Sequence, residues 1–146
     1  MTSAGADALE IELLIDESVD VGVPDTELLR AAGATLERLG VTTGHIAIEI
    51  VDEARIHELN REHRAKDKPT DVLSFPVDGE SIAIGGPPPV SEEPLELGDV
   101  VINPDHTVDM TEAVVHGVLH LCGFDHEVDG GEMLDLQDEI VGSLKA

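Results

Sequence analysis

Between Thr111 and Cys122 the chain is apolar on almost every side, with Ala113, Val114, Val115, Val118, Leu119 and Leu121, yet His116 and His120 interrupt the run. A helix with that pattern is buried on most sides rather than laid amphipathically on a surface, so the fold must be built around it. Burying an imidazole is costly unless its nitrogens are satisfied, and the pair therefore needs a chemical reason. Four residues apart, the two side chains differ in direction by only about 40° on a helix and project from one face. Gly123 stands where the helix should stop. Its access to positive φ lets the chain turn back, so that His126 approaches the same point from outside the helix. Three converging imidazoles predict a metal centre.

Neutral imidazoles suit Zn(II), and a catalytic zinc typically has three protein ligands and an open fourth position. The expectation is one zinc per chain on His116, His120 and His126. Cys122 lies about 200° around the helix from His120 and is expected to fill the core as a small hydrophobe. Asp125 has three candidate roles: an acceptor orienting a ligand, a base, or a loop cap. The spacing H-x-x-x-H-x-x-G-x-x-H is that of the metzincin proteases, which carry a glutamate directly after the first histidine as general base. Gly117 occupies that position. Loss of such a base usually removes ~10²- to 10⁴-fold of rate, which argues against a peptidase of that type. A glycine there is expected to leave room beside the metal for a bulky substrate.

Composition narrows the partners. The chain has 146 residues, with 32 acidic against 8 basic side chains and a net charge of −24. One domain over residues 1–146 is expected, burying roughly 70% of the unfolded surface. A single cysteine excludes an intrachain disulfide framework and a cysteine-rich zinc fold. The acidic excess repels polyanions at long range, and with no Tyr or Trp only Phe75 and Phe124 offer a ring on which a base could stack. A broad nucleic-acid face is thereby disfavoured. Arg55, Arg61, Arg64, Lys66 and Lys68 nevertheless gather five of the eight basic residues within a stretch of 14. No window approaches the ~18 apolar residues of a membrane span, and Met1 to Leu9 lacks the basic start and apolar run of a signal peptide. No membrane partner and a cytoplasmic location are expected.

Alternation of Leu9, Ile11, Leu13 and Ile15 predicts a strand, slightly broken at Leu14, and Ile46, Ile48 and Ile50 predict another. Leu28, Leu29, Ala32, Leu36 and Leu39 have helical spacing between Pro24 and Gly40. Asp52 can cap a helix that carries Ile56 and Leu59 inward and runs into the basic island. Asp71 to Phe75, closed by Pro76, and Asp99 to Ile102 predict two more strands. Residues 77–97, rich in glycine and proline, predict a long surface loop, with a short extended piece at Ser81 to Ile84. A last helix is expected from about Gly131 to Leu144, on Met133, Leu136, Ile140 and Leu144. The predicted class is α/β (α+β): a single domain with a mixed four-stranded sheet packed with helices, bearing a zincin-like metal site. Strand order does not follow from the pattern.

The segment His116 to His126, HGVLHLCGFDH, resembles the H-G-x-L-H-L-x-G-[YF]-D-H signature of the YbeY family of bacterial metal-dependent endoribonucleases. Leu59 to Pro76, LNREHRAKDKPTDVLSFP, is similar to a second block of that family, and Leu97 to Ile102, LGDVVI, to a third. The resemblance runs from about Leu9 to Ile140. It implies zinc on His116, His120 and His126, and it matches Arg64 to an arginine of the active-site cleft that is important for activity. A guanidinium offers a fork of donors to phosphate oxygens and stabilises added negative charge. Arg61, Lys66 and Lys68 become candidates for drawing RNA to the cleft.

The implied activity is zinc-dependent, single-strand-specific cleavage of ribosomal RNA. It would act in maturation of the small-subunit 3′ end and in ribosome quality control, with the small subunit or a ribosomal protein as partner. The implied chemistry is metal-assisted phosphodiester cleavage, in which the metal polarises a phosphate oxygen or activates water while Arg64 holds the phosphate. Two other classes compete with this: a ribosome-assembly factor whose zinc is structural, and a metallohydrolase acting on small molecules or peptides. Departures from the family pattern are also present. Only Asn103 to Val115 separate the third block from the first histidine, so a helix is expected to be shortened or missing there. His63 stands where tyrosine is frequent, as a packing substitution. A charge of −24 is reconciled with ribosomal contacts by a saline cytosol or by an acidic face set against a basic ribosomal protein.

Overall fold

Alternation along LEIELLI produces the first strand, β1 (Leu9–Ile15), whose residues are by turns half-buried and exposed. Leu14, the residue that breaks the pattern, is left 46% exposed. The computed structural model describes residues 9–76, 96–124 and 130–145. β1 is followed by α1 (Asp25–Arg38), β2 (Gly44–Ile50), α2 (Glu53–Arg64), β3 (Val72–Pro76), β4 (Glu96–Ile102), a short 3-10 turn (Pro104–His106), α3 (Met110–Leu121) and α4 (Glu132–Lys145). The chain is a single α+β domain. Most of the predicted loop, together with its extended piece at Ser81 to Ile84, lies outside the described residues.

The sheet order is β1-β2-β4-β3. β1 and β4 flank β2 in parallel, and β3 is the antiparallel edge against β4. Parallel neighbours require crossovers, which α1 supplies between β1 and β2. Alternate strand residues then feed two cores. Ile46, Ile48, Ile50, Val100 and Ile102 point into the larger one with α1, α3 and α4, whereas Leu73, Val101 and Phe75 meet Ile56 and Leu59 of α2. The sheet is thus covered by α2 on one face and by three helices on the other.

β4 starts at Glu96 rather than at Asp99. The register against β2 slips between His45 and Ile46, where Ile46 faces Gly98 and Leu97 is the extra residue of a bulge. Gly98 has φ +128°, and Leu97 joins the same core as Val100 despite its odd spacing. That slip hides the period of two from the sequence. Helix ends follow local chemistry more directly. Asp52 caps α2 by accepting from the Arg55 amide at 2.8 Å, and Gly40 takes φ +78° just after α1. Between β4 and α3 stands one short 3-10 turn. Its anchor is Asn103, fully buried, whose side chain donates to the Val51 carbonyl at 2.9 Å and accepts from the His106 amide at 3.1 Å.

Candidate active site

α3 is capped by Asp109, whose carboxylate accepts from the Glu112 amide at 3.1 Å and from Lys145 Nζ, at the end of α4, at 2.6 Å. Those contacts tie the histidine-bearing helix to the last helix at its start. Two turns further along, Gly117 lies directly on the sheet. A Cβ there would overlap Val100 Cγ1 and stand 3.2 Å from Val72 Cγ2, while the Gly117 carbonyl accepts from Ser74 Oγ at 2.8 Å. The expectation that this glycine opens space for substrate is therefore corrected. Gly117 faces β3 and β4, about 100° around the helix from His116, and its smallness serves close helix-to-sheet approach. A glutamate has no room at that position, which removes the metzincin-type base on steric as well as chemical grounds.

His116 and His120 are both half-buried and share a face of α3, with ring centroids 4.7 Å apart and planes at 76°. The Nδ1 atom of His116 lies 2.7 Å from Oε1 of Gln137 on α4. An amide oxygen only accepts, so the ring donates from Nδ1, and its neutral form carries the lone pair on Nε2. After Leu121 the helix closes as expected: Gly123 has φ +104°, and the Phe124 amide donates to the Leu119 carbonyl at 3.0 Å. His126 and Asp125 lie outside the described residues. Cys122 is fully buried, and burial pushes its thiol up to about 11, as befits an inert core residue.

A cleft of about 340 Å³ opens beside His116 and Gln137, walled by Val108 and Leu134 and rimmed by Asp71 and Asp109. Gln137 is the residue that the sequence analysis missed. It is 6% exposed and lies between Met133 and Ile140 on the buried face of α4. A polar residue on an otherwise apolar stripe was the available signal.

The basic island occupies the end of α2 and the loop after it. Arg61, Arg64, Lys66 and Lys68 are all exposed. α2 ends at Ala65, with φ +57°, and buried Asn60 then holds the loop, its carbonyl accepting from the Lys66 amide at 3.3 Å and its side chain donating to the Lys68 carbonyl at 2.9 Å. His57 grips Asp67 at 2.8 Å. Three residues beyond Lys68, the same loop delivers Asp71 to the cleft rim. Edge strand β3 is shared by the two parts: Ser74 bonds to α3, and the Phe75 and His63 rings meet edge to face with centroids 5.0 Å apart. That ring contact is the packing role expected of His63.

The YbeY endoribonuclease family model matches residues 24–145. The chain belongs to the YbeY family. Relatives named endoribonuclease YbeY include one from Persephonella marina, 35% identical, with 92% of each chain covered. Another, from Azorhizobium caulinodans, is 39% identical over 93% of this chain and 92% of its own. The Bacillus subtilis relative is 35% identical over 90% and 95%, respectively. The fold is similar to the solution structure of a Thermotoga maritima protein, with a TM-score of 0.51 at 24% identity, over 92% of this chain and 88% of that one. His116 also suits the ion that the YbeY resemblance implies, since an imidazole whose second nitrogen is held by a protein acceptor is the usual form of a metal-ligating histidine. No helix among the described residues is long and apolar enough to cross a membrane.

Proposed function

We propose that this YbeY-family chain is a zinc-dependent, single-strand-specific endoribonuclease of the cytoplasm. Its substrate is ribosomal RNA, cut in maturation of the small-subunit 3′ end and in ribosome quality control. The observation that carries the proposal is the pair of imidazoles on α3, 4.7 Å apart, with one Nδ1 held by Gln137 at the head of a cleft. His116, His120 and His126 are the residues that would hold zinc. Zinc held by them supplies Lewis acidity at a scissile phosphate. Arg64, exposed at the last turn of α2, is the residue proposed to grip that phosphate and stabilise its added charge. Arg61, Lys66 and Lys68 draw the strand in, and the Asn60 tether keeps their backbone in one conformation, which lowers the ordering cost of binding. Carboxylates at the cleft rim disfavour the dense phosphate array of a duplex more than a pliable single strand.

Cleavage of a single-stranded ribosomal RNA fragment by wild type and by Arg64→Ala, both loaded with zinc, tests the assignment. We expect wild type to cut and Arg64→Ala to lose about 10²-fold or more of the rate while retaining its metal. The net charge of −24 favours a second reading, a ribosome-assembly factor with structural zinc. Under that reading neither protein cuts, both bind zinc, and both bind the small ribosomal subunit.

A further inference from the structure

We infer that Gln137 is a positioning residue for the metal centre, locking His116 as the Nδ1–H tautomer so that Nε2 is the nitrogen offered to the ion. The inference rests on the metal-centre reading of His116 given above. Gln137 is 6% exposed, with Met133 and Ile140, at 0% and 3%, one turn away on either side along α4. A buried carboxamide at such a place is costly unless it is hydrogen-bonded, and an aliphatic side chain would pack there at no such cost. Its oxygen is spent on His116 Nδ1 at 2.7 Å, across the α3–α4 interface.

The geometry selects between the two neutral forms of the ring. With Nδ1 donating, the lone pair belongs to Nε2; with the opposite tautomer, Nδ1 and the amide oxygen, as the carboxamide is oriented here, would face each other as two acceptors. Rotation of His116 is also restrained by His120, which packs edge to face with ring centroids 4.7 Å apart. A neutral amide orients the ligand without adding to the carboxylates that already rim this cleft, Asp71, Asp109 and Glu112. α4 therefore contributes to the centre through α3 although it supplies no proposed ligand. The tether of Lys145 to Asp109 at 2.6 Å holds the same two helices together nearer the start of α3.

Imidazole nitrogen NMR on the metal-free full chain at mildly alkaline pH reads the tautomer directly, and competition with a zinc chelator reads affinity. In wild type, His116 should be the Nδ1–H form. Gln137→Leu should mix the tautomers and weaken zinc binding by about 10- to 100-fold, with a cooperative unfolding transition retained. Gln137→Glu keeps an acceptor in place and should restore both the tautomer and most of the affinity, and the restored tautomer is what a packing role would not give. Should Gln137→Leu fail to fold, the wild-type tautomer and the Gln137→Glu protein still decide the matter. Wild type in the Nε2–H form, or Gln137→Leu with unchanged tautomer and unchanged zinc affinity, overturns the inference while leaving the metal centre standing. Wild type that takes up no zinc overturns the metal-centre reading itself, and the role of Gln137 in it falls too.

Discussion

A missing side chain at position 117 is what lets α3 rest on the sheet. The Val100 and Val72 methyls occupy the space that a Cβ would need, and the Gly117 carbonyl is bonded by Ser74. Alanine normally improves a helix interior by up to ~1 kcal/mol over glycine, but overpacking a tight contact costs about 1–3 kcal/mol. Gly117→Ala is therefore expected to lower stability in urea unfolding, and adding Val100→Ala should recover part of the loss through a favourable coupling. Additive effects in that double-mutant cycle would contradict the contact. The histidine pair was legible in the sequence because a spacing of four fixes one helix face whatever surrounds it. The role of Gly117 was not, since the side of the helix that meets the sheet is a tertiary matter. Gln137 is hidden for a related reason: the apolar spacing of α4 points to Leu136, whereas the fully packed face runs through its neighbour.

Elements were predicted well where their ends are set locally. Asp52, Gly40 and Gly123 act within a turn of themselves, and the helices they bound appear within a residue or two of expectation. β4 was shortened because the Leu97 bulge breaks its alternation, and the order β1-β2-β4-β3 depends on how helices pack across the faces. Asp109 joins both levels, as N-cap of α3 and partner of Lys145 on α4. The hydrogen bond from Lys145 is the main reason that its carboxyl is held below the ordinary 3.8. A lowered folded-state value means that the ionised carboxylate adds stability at all pH above the unfolded value, and that this is lost as pH falls through the folded one. Asp109→Ala should cost about 1 kcal/mol near neutrality through the lost cap. Urea unfolding should show the difference from wild type shrinking as pH drops below 3.8. A gap that is constant with pH would mean that the charge contributes nothing.

At the scale of the molecule, an excess of 24 negative charges sets the conditions under which any RNA can approach. Three histidines are already engaged by carboxylates, half-buried His45 by Glu12, half-buried His57 by Asp67 and exposed His106 by Glu53. On the sheet face beside α2, burial and then the nearby Asp99 push the Glu49 carboxyl above its ordinary value. The basic residues after Leu59 are thus a local exception, one short loop from the cleft that holds His116. Family membership and this juxtaposition together make metal-dependent RNA cleavage the central claim. It is tested most directly by stripping the purified full chain with a chelator, removing the chelator, and following cleavage of single-stranded ribosomal RNA as zinc is returned, with His120→Ala carried in parallel. The account predicts that cleavage disappears on stripping and returns with about one zinc per chain in wild type alone. Cleavage that survives stripping, or that is equal in His120→Ala, would contradict it.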